Sequence, residues 1–301
     1  MKTPPTGATA EPFFSEFEQP TQQKTYVPAY TTGLKVLNAE QLLTAKFPER
    51  GLILAPWLPE QGLAMIFSPR GVGKTWIALS IAHAVAGGGK FLGWQAQRPR
   101  RVLYLDGEMP TTLLQNRYAE VVRSLGIDID PDNFKLVAAD FQPDGLPDLS
   151  NIDAQRFYDR VLADAELIVV DNLSTIARGL RENEADSFAP VQSWLLAQRA
   201  RARSVLVIHH AGKGGQQRGT SRKEDVLDSV ISLQRPPGYV ASEGARFEVR
   251  FTKSRGFFGQ DAELFEARFS DGAWSTCEIK ADDSDEAIAA MRAEGLSIRD
   301  I

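Results

Sequence analysis

Lys74 and Thr75 close a glycine-rich turn, Ser68-Pro-Arg-Gly-Val-Gly-Lys-Thr75, which an apolar run from Leu63 enters and a second apolar run, Trp76 to Leu79, leaves. These residue types in this order suit a phosphate. Gly71 and Gly73 let backbone N–H groups curl around an anion and a following helix presents its positive end, while a lysine reaches the outer phosphates and a hydroxyl holds Mg²⁺. The pattern is GxxxxGK[ST] with one departure, since Ser68 stands where the first glycine is expected. The expected ligands are ATP and Mg²⁺, contacted by Ser68, Pro69, Arg70, Gly71, Val72, Gly73, Lys74, Thr75 and Trp76.

A nucleotide loop only binds; hydrolysis also requires a metal-linked carboxylate, a group to polarise water and a sensor for the γ-phosphate. Glu166-Leu-Ile-Val-Val-Asp171 is an apolar strand ending in a carboxylate, which places Asp171 with Thr75 as the candidate metal pair. Arg101-Val-Leu-Tyr-Leu-Asp-Gly-Glu108 repeats that design, and ligands bind at such strand tips in open α/β sheets. Glu108 is the candidate for orienting and deprotonating the attacking water, with Asp106 second. Ser204-Val-Leu-Val-Ile-His-His210 is a third such strand, and either His209 or His210 is placed to report loss of the γ-phosphate.

These residues need a scaffold. Apolar runs alternate with helical patterns: strands at 63–67, 101–105, 134–138, 166–171 and 204–209, helices at 75–86, 111–125, 152–163 and 186–202. Alternation of this kind predicts an α/β fold, a mostly parallel twisted sheet flanked by helices. Successive strands at 228–233, 246–253, 262–269 and 273–279 predict antiparallel strands added on the C-terminal side. Residues 1–33 read as a flexible tail, in which Phe13, Phe14 and Phe17 either anchor on a neighbouring subunit or pack on their own domain. Residues 34–280 read as the main domain, with a short helix at 39–46, and residues 281–301 as a C-terminal helical segment. With 301 residues and 43% hydrophobic content the chain supports a sizeable core. Cys277 is the single cysteine, which excludes a disulfide framework or multi-cysteine zinc site and points to a reducing cytoplasm. No run is long enough to span a bilayer, and no membrane partner is expected. A net charge of −5 leaves polyanion binding to local loops.

Taken together, the phosphate loop, Tyr104-Leu-Asp-Gly-Glu108, Leu167-Ile-Val-Val-Asp-Asn-Leu-Ser-Thr175, Val207-Ile-His-His-Ala-Gly-Lys-Gly-Gly215 and Arg218-Gly-Thr-Ser-Arg-Lys-Glu-Asp225 resemble the RecA-like P-loop ATPase core in order and spacing. Within it they most resemble hexameric replicative helicases of the plasmid RepA and DnaB-like type, over about residues 50–270. The resemblance implies that Glu108 is the catalytic glutamate, Asp171 the Walker B acid and His210 or His209 the sensor. It also implies that Lys253 and Arg255, a Lys-x-Arg pair on a late strand, cross a subunit boundary to a neighbour's γ-phosphate, where an arginine finger is worth about 10³ to 10⁵ in turnover.

A polymer site is expected in two loops. Ala211 to Lys223 is glycine-rich and basic, offering Lys213, Arg218, Arg222 and Lys223 to phosphates, and Arg178-Gly-Leu-Arg181 follows the Asp171 strand. Arg218 alternatively reaches the nucleotide across the interface. Neither loop carries an aromatic platform, so grip on single-stranded DNA would be electrostatic. The segment Ala287 to Ile301 resembles the opening of a helix-turn-helix without its recognition helix, or else a plain amphipathic helix packing on the core. The expected protein is a homo-hexameric, DNA-dependent ATPase and replicative-type helicase working with replication proteins of a plasmid, phage or integrated element. The competing class is a RecA-like ATPase whose rings act as a nucleotide switch or scaffold; a small-molecule kinase is disfavoured by the lack of a lid or acceptor pocket.

Overall fold

The computed structural model describes residues 36–181, 185–211 and 224–279. Contacts divide the chain into a unit ending at Glu49 and a larger unit beginning at Arg50. In the first, helix α1 (Ala39–Thr44) is fixed by a reciprocal cap: Gln41 N donates to Asn38 Oδ1 at 2.8 Å and Asn38 N donates to Gln41 Oε1 at 2.9 Å.

The larger unit opens with a hairpin, β1 (Leu52–Leu54) and β2 (Leu58–Pro59), then β3 (Leu63–Ser68), α2 (Lys74–Gly87) and a second hairpin of β4 (Lys90–Phe91) and β5 (Trp94–Gln95). It continues through β6 (Val102–Asp106), α3 (Thr111–Leu125), β7 (Phe134–Ala138), α4 (Ile152–Asp159), β8 (Leu167–Asp171), α5 (Leu173–Ile176), α6 (Ala189–Ala200) and β9 (Ser204–His210). Four strands finish it: β10 (Ser229–Gln234), β11 (Ala245–Ser254), β12 (Phe265–Ser270) and β13 (Ala273–Glu278).

Nine strands form one sheet in the order β13-β12-β11-β10-β3-β9-β8-β6-β7. The six from β10 to β7 are parallel, and β11, β12 and β13 extend the sheet antiparallel, as the sequence predicts. Every residue of β3, β6, β8 and β9 is buried, which is why these strands read as unbroken apolar runs. Successive residues nevertheless serve different layers. Ala64 and Ile66 join a core with α2 and α3, whereas Leu63, Met65 and Phe67 join the core on the other face with Trp194 and Leu195 of α6.

Some boundaries depart from the pattern. The helix expected over 186–202 begins as a 3₁₀ turn, Ala185–Phe188, and becomes α-helical at Ala189, with Pro190 in the first turn. The helix expected over 152–163 ends at Asp159, and the turns after it carry Leu162 into the core. The expected tail with Phe13, Phe14 and Phe17 and the C-terminal helical segment lie outside the described residues. No helix among the described residues is long and apolar enough to cross a membrane.

Candidate nucleotide site

The sheet's register aligns the chemistry. Asp106 and Asp171 are Cα partners at the ends of β6 and β8, and Ser68 and His210 are partners at the ends of β3 and β9. All four therefore end strands at one edge of the sheet, beside a cavity of about 610 Å³. The phosphate loop forms one wall. Gly71 has φ 75° and Gly73 φ 129°, and a Cβ on Gly73 would come within 2.8 Å of the Phe247 ring, so the loop needs glycine there for both conformation and space. Ser68 replaces the usual first glycine without disturbing this turn. It is buried, and its carbonyl and hydroxyl both accept from Lys74 Nζ at 3.1 Å, with Pro69 O accepting at 2.9 Å. Ser68 and Pro69 thus lie behind the loop, whereas residues 70–76 line the cavity.

Burial lowers the Lys74 ammonium to about 8, against the pull of the Asp171 and Glu108 carboxylates. Asp171 is pushed up by burial, while hydrogen bonds from Tyr104 and Thr75 and the Lys74 charge favour its ionised form; Tyr104 Oη donates at 2.7 Å. Thr75 and Asp171 thus present two hard oxygen donors beside the loop. Among the described residues no group of three or more His, Cys, Asp or Glu is arranged to hold a metal, so a cation here would take its remaining ligands from phosphate and water, the habit of Mg²⁺.

The two carboxylates after β6 have different surroundings. Asp106 is buried and accepts at Oδ2 from the N–H groups of Glu108 (3.2 Å) and Met109 (2.9 Å); burial raises it to about 6. Glu108 is half exposed and reaches into the cavity, where Asn172 Nδ2 donates to its Oε2 and His210 Nε2 lies 3.7 Å from the same oxygen. His210 lines the cavity and His209 does not. Asn172 itself follows the strand-ending acid and caps α5. The cavity also gathers Arg117, 5.6 Å over the Trp76 ring, and Arg235, which stacks on Tyr239 at 4.3 Å and donates to Gly71 O at 3.4 Å. Sequence reasoning missed Tyr104, Asn172, Arg117 and Arg235. Only Asn172, beside the strand-ending acid, carried a local signal.

Lys253 and Arg255 lie elsewhere. Val230 of β10 pairs with Lys253, Arg255 N donates to Asp228 O, and Ser229 pairs with Ala64 at the start of β3. The pair therefore sits at the opposite edge of the sheet from the phosphate loop, one strand length away, about 15 Å. Lys253 Nζ donates to Glu224 O. Arg178 donates to Leu146 O at 2.9 Å, and Arg181 N donates to Ser187 Oγ at 3.0 Å. Lys213, Arg218, Arg222 and Lys223 lie outside the described residues.

A parallel sheet with a phosphate loop after one strand and paired acids after two others defines a RecA-like P-loop ATPase. The chain belongs to the family described as AAA domain, whose pattern it matches over residues 29–216. Its fold is similar to that of a KaiC-like protein from the hyperthermophilic archaeon Pyrococcus horikoshii OT3, with a TM-score of 0.50 and 16% identity over 73% of this chain and 90% of that one.

Proposed function

We propose that this chain is an ATP-hydrolysing motor that acts on single-stranded DNA as a ring-forming, replicative-type helicase of a plasmid, phage or integrated element. The observation that carries this reading is the separation of parts along the sheet. Lys74, Thr75, Asp171, Glu108 and His210 gather at one edge, while Lys253 and Arg255, which this reading assigns to a neighbour's site, lie at the other. One copy cannot bring them together, whereas head-to-tail copies can, and a heterologous contact that closes makes a ring.

In this mechanism Lys74 and the loop N–H groups hold the phosphates, and Thr75 with Asp171 would hold Mg²⁺, which would supply positive charge against the phosphates. Glu108, aimed by Asn172, takes a proton from the attacking water. His210, facing the same carboxylate, donates to the γ-phosphate and links its loss to β9. Arg255 with Lys253 of the adjoining copy stabilises charge in the transition state. Arg178 and Arg181, with the basic segment after His210, track the DNA backbone.

Hydrolysis measured with and without single-stranded DNA at low salt tests the motor. Turnover is expected to rise with DNA, and DNA affinity to fall steeply with salt, as phosphate contacts require. DNA that neither binds nor raises turnover would overturn the motor reading and leave the nucleotide switch.

A further inference from the structure

Asp106 ends β6 with a carboxylate that the turn around it only half uses. Its Oδ2 accepts from the N–H groups of Glu108 and Met109 and pins the chain where it leaves the strand. Its Oδ1 is buried and finds no donor among the described residues. A carboxylate oxygen withdrawn from bulk water is costly to leave unpaired, so the position calls for a donor that the chain itself does not supply.

The register fixes where that oxygen stands. Asp106 and Asp171 are Cα partners on adjacent parallel strands, about 4.8 Å apart, and such partners turn their side chains to the same face. Tyr104 and Val169, two residues earlier on each strand, belong to the core layer shared with α2, so both aspartates face the helix that begins with Lys74 and Thr75. Asp106 is 1% exposed, yet it borders the nucleotide cavity together with Thr75, Asp171 and Glu108. Gly107 N donates to Asp171 O at 2.8 Å, which ties the two strand ends together.

Asp171 is already engaged by the protein, since Tyr104 Oη donates to its Oδ2 and the Thr75 side chain bonds to it as well. With few direct ligands on offer, Mg²⁺ would keep several waters, as it does by preference. Such waters are strong donors and need fixed acceptors, a task that falls to groups outside the direct ligands.

We propose that Asp106 Oδ1 accepts a hydrogen bond from the hydration shell of the Mg²⁺ ion that Thr75 and Asp171 would hold. Asp106 is then a positioning residue for the ion and not a second base. This role rests on the nucleotide reading of the cavity and is independent of whether the chain moves DNA. It divides the work of the two acids after β6: Asp106 steadies the ion, and Glu108 takes the proton.

The test follows Mn²⁺, a paramagnetic stand-in for Mg²⁺, binding to the full-length chain with equimolar ADP, read as loss of the free-ion electron paramagnetic resonance signal. Asp106→Asn keeps an oxygen for the two N–H groups and puts an amide in the place of Oδ1. Asp106→Ser keeps a hydroxyl acceptor for the turn and leaves that place without an oxygen. Both should weaken Mn²⁺ binding by about 10- to 100-fold, the usual worth of a group that supports a metal from outside its direct ligands. ADP affinity in EDTA and the melting temperature should hold, because the turn is kept. Unchanged Mn²⁺ affinity in both variants overturns the role, and turnover lost without loss of Mn²⁺ affinity overturns it in favour of proton transfer. A parallel loss of ADP affinity in EDTA overturns it too, by assigning the carboxylate to the shape of the site. A wild-type chain that binds neither ADP nor Mn²⁺ would instead defeat the nucleotide reading, and this role with it.

Discussion

Glu108 and Asp106 are separated by one residue, yet their surroundings suit them to different work. Two N–H groups and burial make Asp106 a fixed turn acceptor, with Oδ1 left buried and unbonded, whereas Glu108 keeps an exposed carboxylate that Asn172 aims. Glu108→Gln is expected to leave nucleotide binding intact and lower turnover by about 10² to 10⁴, the usual worth of a positioned base. Asn172→Ser separates aiming from folding. Serine caps a helix about as well as asparagine, so the start of α5 and the melting temperature should hold. The freed carboxylate should lower single-turnover hydrolysis by up to about 100-fold, as misplacement of reacting groups does. Unchanged hydrolysis in Asn172→Ser would deny Asn172 an orienting role.

At the scale of elements, α2 is the axle of the site, because its first residues are the loop's own Lys74 and Thr75. It is buried on nearly every side and ends at Gly88 in the left-handed conformation. Inside it, His83 lies between Tyr118 Oη at 3.1 Å and Ile127 O at 2.9 Å. Burial holds His83 below the usual imidazole value, so the folded protein resists a proton that the unfolded chain accepts. Stability should therefore be level near neutrality and fall as the pH drops below about 6.5, the unfolded value. His83→Gln should flatten that slope, read from melting temperatures across pH; an unaltered slope would place its origin elsewhere. The sequence made α2 and the buried strands legible because each couples an apolar run to a residue of evident chemistry at its end. It did not reveal the β1–β2 and β4–β5 hairpins, whose strands of two or three residues are too short to carry a period. Nor did it reveal Arg117, which reaches the cavity only because α3 folds back over α2, or Arg235, which approaches Gly71 from the connection after β10. Those partners are neighbours in space alone.

At the scale of the whole molecule, strand direction decides where Lys253 and Arg255 fall. The run of β11 antiparallel to β10 returns Lys253 and Arg255 to the edge away from the phosphate loop. Arg255→Ala and Glu108→Gln should each be inactive alone while still binding nucleotide. Mixed in equal amounts they should regain hydrolysis, because about a quarter of randomly formed head-to-tail contacts then pair an intact pocket with an intact arginine. A mixture as inactive as its parts would rule out a shared site. The same polarity has a consequence for dosage. Under the proposed mechanism, a chain that holds its ligand at one end and its trigger at the other would be idle when dilute, even when fully loaded. Specific activity should then rise from a threshold with protein concentration, so that the abundance of the chain itself decides when its fuel is consumed.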